Sequence, residues 1–324
     1  MFHDSDAPGF PLKVAAGGNH TLVLMSNGDV YATGSNGYGR TGLPESLKAL
    51  ESFNYVLTPE NDCKFSSCSA TWEASILVTT NNNIYTCGIG NKGELGQGVG
   101  SITSPLPQRL LGFPPLGTAI VDLSSCVSHT VAVLSNGDAY AWGNGRKGQL
   151  GEPSEVVWSP RKITDLHFKV VRAVCGREFT YLVGNSKDGQ HAVLGADKWN
   201  IISSAPSCVP GWRDIRASWG SMFILTTTGS LLSWGRNDHG QLAPKDLPLI
   251  EQIAPGSEHC LALTATGGLL AWGWGEHGNC GPMFDEHGDV KEHWNNITLQ
   301  HPMDLSAIVG ISAGCATSWL WAKD

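Results

Sequence analysis

Apolar and polar residues alternate in short runs along most of this chain, and the runs end on glycine. Asp29-Val30-Tyr31-Ala32-Thr33 runs into Gly34, and Asp138-Ala139-Tyr140-Ala141-Trp142 into Gly143. This period-two pattern is that of a strand with one buried face. Each run follows another strand across a tight turn. His20 to Met25 leads through Ser26-Asn27-Gly28 to Val30, and Thr130 to Leu134 leads through Ser135-Asn136-Gly137 to Ala139. Asn-Gly supplies the positive φ angles that such hairpins need. Thr228-Gly229 and Gly267-Gly268 hold the same place in later copies.

The copies align on Gly34, Gly88, Gly143, Gly235 and Gly273, each followed five residues later by Gly39, Gly93, Gly148, Gly240 and Gly278. A third glycine follows at Gly42, Gly96, Gly151 and Gly281, with Ala243 as the exception. Repeats of roughly 40 to 55 residues made of short strands predict an all-β propeller. Seven copies of a strand leading into a small-residue corner can be counted, at Ala15–His20, Ser67–Ala70, Ser125–His129, Val174–Gly176, Ser218–Gly220, Ala254–His259 and Ala313–Ala316. The strand ending in glycine occurs six times, counting the eroded His191–Gly195. The expectation is a seven-bladed β-propeller whose closing blade is incomplete because an N-terminal half-repeat is missing. It is read as one domain over 1–324, with 1–12 a non-repeat leader and 283–304 a long loop before the last half-repeat.

Composition narrows the partners. The net charge is −8 and no basic run appears, which disfavours a nucleic-acid groove. No apolar run of membrane-spanning length occurs and Met1–Asp6 is polar, so no membrane partner is predicted and the expected location is cytoplasm and nucleus. Nine cysteines without a Cys-x-x-Cys spacing read as reduced thiols packed as small apolar groups.

Four strings match a dinucleotide-binding pattern, beginning at Gly37, Gly88, Gly143 and Gly273. That chemistry needs a helix N-terminus after the glycines. No helical periodicity follows any of the four, so they read as turns, with no cofactor. His20, His129 and His259 recur at the blade corner where Phe179 stands in another copy, which makes them structural and leaves no metal site. Glu258-His259 and Glu276-His277 lack a nucleophile or oxyanion donors, so catalysis is not expected. Departures from the repeat carry the functional weight. Trp274 stands beside Trp272 where other copies have Ser35, Ile89, Asn144 or Arg236, and Trp219 and Met222 replace smaller corner residues. Exposed tryptophans are common interface anchors. The predicted partner-binding set is Trp219, Met222, Glu258, His259, Trp274, Glu276, His277 and Asn279.

The strings Gly90-Asn91-Lys92-Gly93-Glu94-Leu95-Gly96 and Gly145-Arg146-Lys147-Gly148-Gln149-Leu150-Gly151 resemble those of the regulator of chromosome condensation family of seven-bladed propellers. Gly256–His259, Trp272–Pro282 and Gly314–Trp319 resemble the α-tubulin suppressor branch of that family. This likeness implies a non-enzymatic partner of the small Cys-rich metal-binding protein of diphthamide synthesis. It further implies support of diphthamide formation on elongation factor 2 and of Elongator-dependent modification of tRNA wobble uridines, with Elongator an indirect partner. The alternatives are guanine-nucleotide exchange on a Ran-like GTPase and a generic protein-interaction adaptor.

Overall fold

The Asn-Gly turns form as the alternation requires. Gly28 and Gly137 take φ of 80° and 88°, and their N–H groups close onto Met25 and Leu134 carbonyls at 2.9 and 2.8 Å. The computed structural model describes residues 9–60, 63–297 and 308–322. The first antiparallel sheet comprises β1 (Pro11–Ala16), β2 (His20–Met25), β3 (Val30–Ser35) and β4 (Ala49–Val56). The second has β5 (Phe65–Ala70), β6 (Ala74–Thr79), β7 (Ile84–Ile89) and β8 (Thr103–Arg109). The third has β9 (Ile120–Cys126), β10 (His129–Leu134), β11 (Ala139–Asn144) and β12 (Val156–Lys162). Two three-stranded sheets follow, β13 (Arg172–Cys175), β14 (Phe179–Val183) and β15 (His191–Gly195), then β16 (Trp212–Ala217), β17 (Ser221–Thr226) and β18 (Leu231–Gly235). The sixth has β19 (Ile250–Pro255), β20 (His259–Thr264), β21 (Leu269–Trp274) and β22 (Asp289–Asn296), and β23 (Ile308–Ala313) pairs with β24 (Ser318–Ala322) alone.

These sheets correct the expected blade count. The propeller has six blades of three or four strands, not seven, and the remaining two-stranded sheet is a hairpin. Counting corners misled because the corner at Gly314 needs only the two strands it joins, whereas a blade needs a third strand. The hairpin still closes the ring. β23 packs between β19 and β1, and Ser312 Oγ donates to the Val14 carbonyl at 3.3 Å. The segment expected as a loop over 283–304 is also different, since β22 is an outer strand paired with β21; residues 298–304 lie outside the described residues. Of the supposed leader, Pro11 and Leu12 belong to β1, and residues 1–8 lie outside the described set.

The innermost strands β1, β5, β9, β13, β16, β19 and β23 surround a central channel of about 410 Å³. Second strands are buried from end to end in β2, β6, β10 and β20. Neighbouring blades cover both their faces, which explains the unbroken apolar run Val131-Ala132-Val133-Leu134. Blades are tied in register by indoles. Trp142, Trp234 and Trp272 donate through Nε1 to the Glu94, Ile201 and Gln241 carbonyls of the preceding blade, at 3.1, 2.9 and 3.0 Å.

The glycine ending each third strand has a single cause. Gly34, Gly88, Gly143, Gly195, Gly235 and Gly273 take φ between 99° and 126°. A Cβ there would overlap the corner carbonyl oxygen of Asn19, Glu73, Ser128, Glu178, Gly220 or Glu258 respectively. That same oxygen accepts the N–H of the residue after the glycine, at 2.7 to 3.2 Å in all six blades. Gly143→Ala is expected to lower stability by at least about 3 kcal/mol, and Gly98→Ala, at a similar φ in open space, by roughly 1–2 kcal/mol. Equal urea midpoints for the two variants would refute the close-approach argument.

Corner histidines join blades. His20, His129 and His259 lie 3.0, 3.0 and 3.1 Å through Nε2 from the hydroxyls of Ser75, Thr180 and Ser318 in the next sheet. Gly17, Gly176 and Gly256 lie under the rings of His20, Phe179 and His259, so the position selects a flat ring and accepts either residue type. Burial lowers the histidines from 6.5 to about 3 for His20 and about 4 for His129 and His259. Their native pKa lies below the unfolded value, so the unfolded chain binds the protons. Stability is full above about pH 6.5 and falls as pH drops toward 4, each histidine costing about 2 kcal/mol at pH 5. The urea midpoint is expected to fall between pH 7.5 and 5.5. Replacing His129 by Phe should make that slope shallower by about a third, and an unchanged slope would remove His129 as a cause.

Candidate functional site

Corner turns and the residues after the terminal glycines emerge on one face of the ring, because the first strand of each blade ends where the third one does. Around the channel mouth the corners hydrogen-bond to one another. Gly18 N–H donates to Trp72 O, Trp72 N–H to Val127 O, Arg177 N–H to Trp219 O, Trp219 N–H to Ser257 O and Ser257 N–H to Gly314 O, at 2.7 to 3.3 Å. Trp72 and Trp219 meet there, ring centroids 5.6 Å apart, and the Arg177 guanidinium lies 5.3 Å from the Trp219 ring.

The predicted partner-binding residues divide by burial. Trp219 and Trp274 are half-buried, and Glu276 and His277 are exposed. Trp274 meets the His277 ring edge-on at 4.8 Å and lies 6.3 Å from the His239 ring, whose Nδ1 is 3.0 Å from Asp289 Oδ1. Trp272, by contrast, is fully buried in the sixth blade. Met222 and His259 are fully buried and leave the contact set, because both lie on second strands whose two faces are covered. Glu258 and Asn279 are buried braces rather than exposed contacts. Glu258 accepts from Arg236 and from Gln241 Nε2, and Asn279 Nδ2 donates to the Trp274 carbonyl at 2.9 Å. Burial raises the Glu258 carboxyl above its ordinary range against the opposing pull of Gln241 and Arg236.

Sequence reasoning missed Trp199, Arg236, Arg177 and Lys198. Trp199 lies in the irregular segment after the eroded Gly195 copy, where no periodicity marks it. The residue is 43% exposed, with the Arg236 guanidinium over its ring at 5.0 Å and the Lys198 ammonium at 5.6 Å. Arg236 occupies the position that Trp274 holds in the next blade, immediately after the terminal glycine. It pairs with Glu258 and with Asp238, so it connects the Trp219 and Trp274 ends of the face. A cleft of about 220 Å³ opens between Trp199 and Trp219, bordered by Arg177, Lys198 and Arg236 and floored by Gly220. Among the described residues no three His, Cys, Asp or Glu side chains converge to hold a metal. The face presents tryptophan and arginine side chains, which are enriched at interface hot spots.

The fission-yeast RCC1 repeat-containing protein (Schizosaccharomyces pombe) is 31% identical over 333 residues, covering 95% of this chain and 88% of that one. The mouse (Mus musculus) secretion-regulating guanine nucleotide exchange factor is 25% identical, over 71% of this chain and 53% of its own. Among solved structures, Prp20p of Saccharomyces cerevisiae superposes with a TM-score of 0.72 at 22% identity, over 93% of this chain and 80% of that one, a likeness of fold. A family model for the RCC1-like domain matches residues 4–320, and with the fission-yeast relative it shows that this chain belongs to the RCC1-like domain family.

Proposed function

We propose that this chain is a non-enzymatic interaction propeller of the α-tubulin suppressor branch, also called killer-toxin-insensitivity protein thirteen, and that it binds the small Cys-rich metal protein of diphthamide synthesis. Through that complex it supports diphthamide formation on elongation factor 2 and Elongator-dependent modification of tRNA wobble uridines, in cytoplasm and nucleus. The observation that carries the reading is the solvent-facing group Trp219, Trp274, Glu276 and His277 on one rigid face. Such a surface packs over a small domain near its metal and limits solvent access without donating a ligand. Glu258 and Asn279 hold that surface in place, and neither needs to touch the partner.

Purified chain mixed with the metal-loaded Cys-rich protein is expected to run as a one-to-one complex in size-exclusion chromatography with light scattering. Simultaneous replacement of Trp274, Glu276 and His277 by alanine should weaken it at least about tenfold, or about 1.4 kcal/mol. Absence of a complex, or an unaffected triple variant, refutes the assignment. A second reading, guanine-nucleotide exchange on a Ran-like GTPase, draws on the similarity to the mouse exchange factor. It predicts accelerated nucleotide release from such a GTPase, a rate that the interaction reading leaves unchanged.

A further inference from the structure

The cleft beside Trp199 is positively charged on a chain whose net charge is −8. Arg177, Lys198 and Arg236 line it, with Glu178 as the single carboxylate among its lining residues. Arg236 is already paired with Glu258 and Asp238. Among the described residues, no carboxylate lies within ion-pairing distance of Arg177 or Lys198, which instead lie over the Trp219 and Trp199 rings.

Size restricts the occupant. About 220 Å³ is below the roughly 300–1,000 Å³ of sites that enclose a small ligand or cofactor, and suits one inserted side chain. Gly220 leaves the floor as bare backbone, since a Cβ there would lie 3.0 Å from Arg236 Cβ and 3.3 Å from Trp199 Cδ1.

The backbone turn places the Trp199 ring beside the cleft. Trp199 and Asn200 take φ of 63° and 56°, as Tyr38 and Gly39 do, at 59° and 69°, at the same distance from Gly34 in the first blade. Neighbouring bonds hold the segment. Asp197 Oδ1 accepts the Ile202 and Ser203 N–H groups at 2.8 and 3.1 Å, and the Ile201 carbonyl accepts the Trp234 indole. The turn is thus a feature of the repeat, and what sets this copy apart is the tryptophan it holds at the cleft, outside the core.

We propose that this cleft takes an acidic segment of a partner protein, an aromatic side chain entering between Trp199 and Trp219 while flanking carboxylates pair with Arg177 and Lys198. The inference rests on the chain being an interaction propeller, and not on which partner it binds. The test uses an end-capped peptide of alternating glutamate and phenylalanine, titrated calorimetrically at low ionic strength against the full chain. Control peptides carry lysine for glutamate or alanine for phenylalanine. Binding of the acidic aromatic peptide is expected, with each control at least about tenfold weaker. K198E and W199G should each weaken it by a similar factor. Glycine adopts this backbone without strain, so W199G should melt no lower than the parent.

No binding at millimolar peptide, equal binding of the lysine peptide, or indifference to W199G and K198E overturns the proposal. So does a W199G melting temperature well below the parent, which would make the ring structural. The same variants mixed with the small Cys-rich metal protein separate the two readings. Peptide binding that depends on Lys198, without a metal-protein complex, rejects the partner and keeps the cleft. A complex indifferent to W199G, with indifferent peptide binding, rejects the cleft and keeps the partner.

Discussion

In every blade one carbonyl oxygen, at the corner between the first and second strands, lies against the glycine that ends the third strand. Only a residue without Cβ at φ near 100° permits that approach. The following N–H then bonds the same oxygen, so the next side chain leaves the blade at a set point and on a set face. Ser35, Ile89, Asn144, Ala196, Arg236 and Trp274 occupy this point in the six blades. Four of them are unremarkable turn residues. Arg236 and Trp274 are adjacent around the ring, and the candidate interface is built on them. A structural constraint repeated in each blade thus serves as a mount on which side chains vary at little cost to the fold.

Blades bury their faces only against each other, and the contacts between them repeat. Corner hydrogen bonds link five of the seven neighbouring corner pairs at the channel mouth, histidines reach hydroxyls of the next sheet, and indoles reach carbonyls of the preceding one. Each buries a polar group with a partner, so loss of one neighbour leaves the other unsatisfied. That is why a two-stranded hairpin suffices at the seventh position. It supplies an inner strand to the channel and Ser318 to His259, the groups its neighbours require. Inside the channel, Arg172 bridges Asp122 and Asp214 at 3.6 and 2.5 Å, tying three inner strands by charge.

Electrostatics on the candidate face position groups more than they stabilise the fold. A buried or half-buried ion pair such as Arg236–Glu258 carries desolvation costs comparable to its attraction, but it holds the guanidinium over the Trp199 ring. The Arg177 and Lys198 charges have no such anionic partner within the described residues. They lie instead over aromatic faces, where the attraction of a cation for a ring is modest and leaves its capacity for a carboxylate intact. The side of the face near Trp274 is different, with Glu276 and Glu286 exposed. The two ends therefore present opposite charge.

Strands, hairpin turns, the glycine register and the structural nature of the corner histidines were all readable from the chain, because each depends on neighbours close in sequence. The alternation around Tyr140 specifies a half-buried strand, and Asn136-Gly137 specifies its turn. Trp274 was legible as a departure from four sister copies. Blade number was not, since whether a corner acquires a third strand is settled by pairing across the sheet; the outer strand β22 escaped notice for the same reason. Met222 and His259 were misplaced because a corner position says nothing of which neighbouring sheet will cover it. Trp199 and Lys198 lie in an aperiodic segment and acquire meaning only beside Trp219 and Arg236. The local chemistry of the repeat was thus determined by the sequence alone, through backbone sterics acting over a few residues. Which of its side chains share a face was decided only by tertiary closure, since the ring brings together residues as far apart as Trp72 and Trp219.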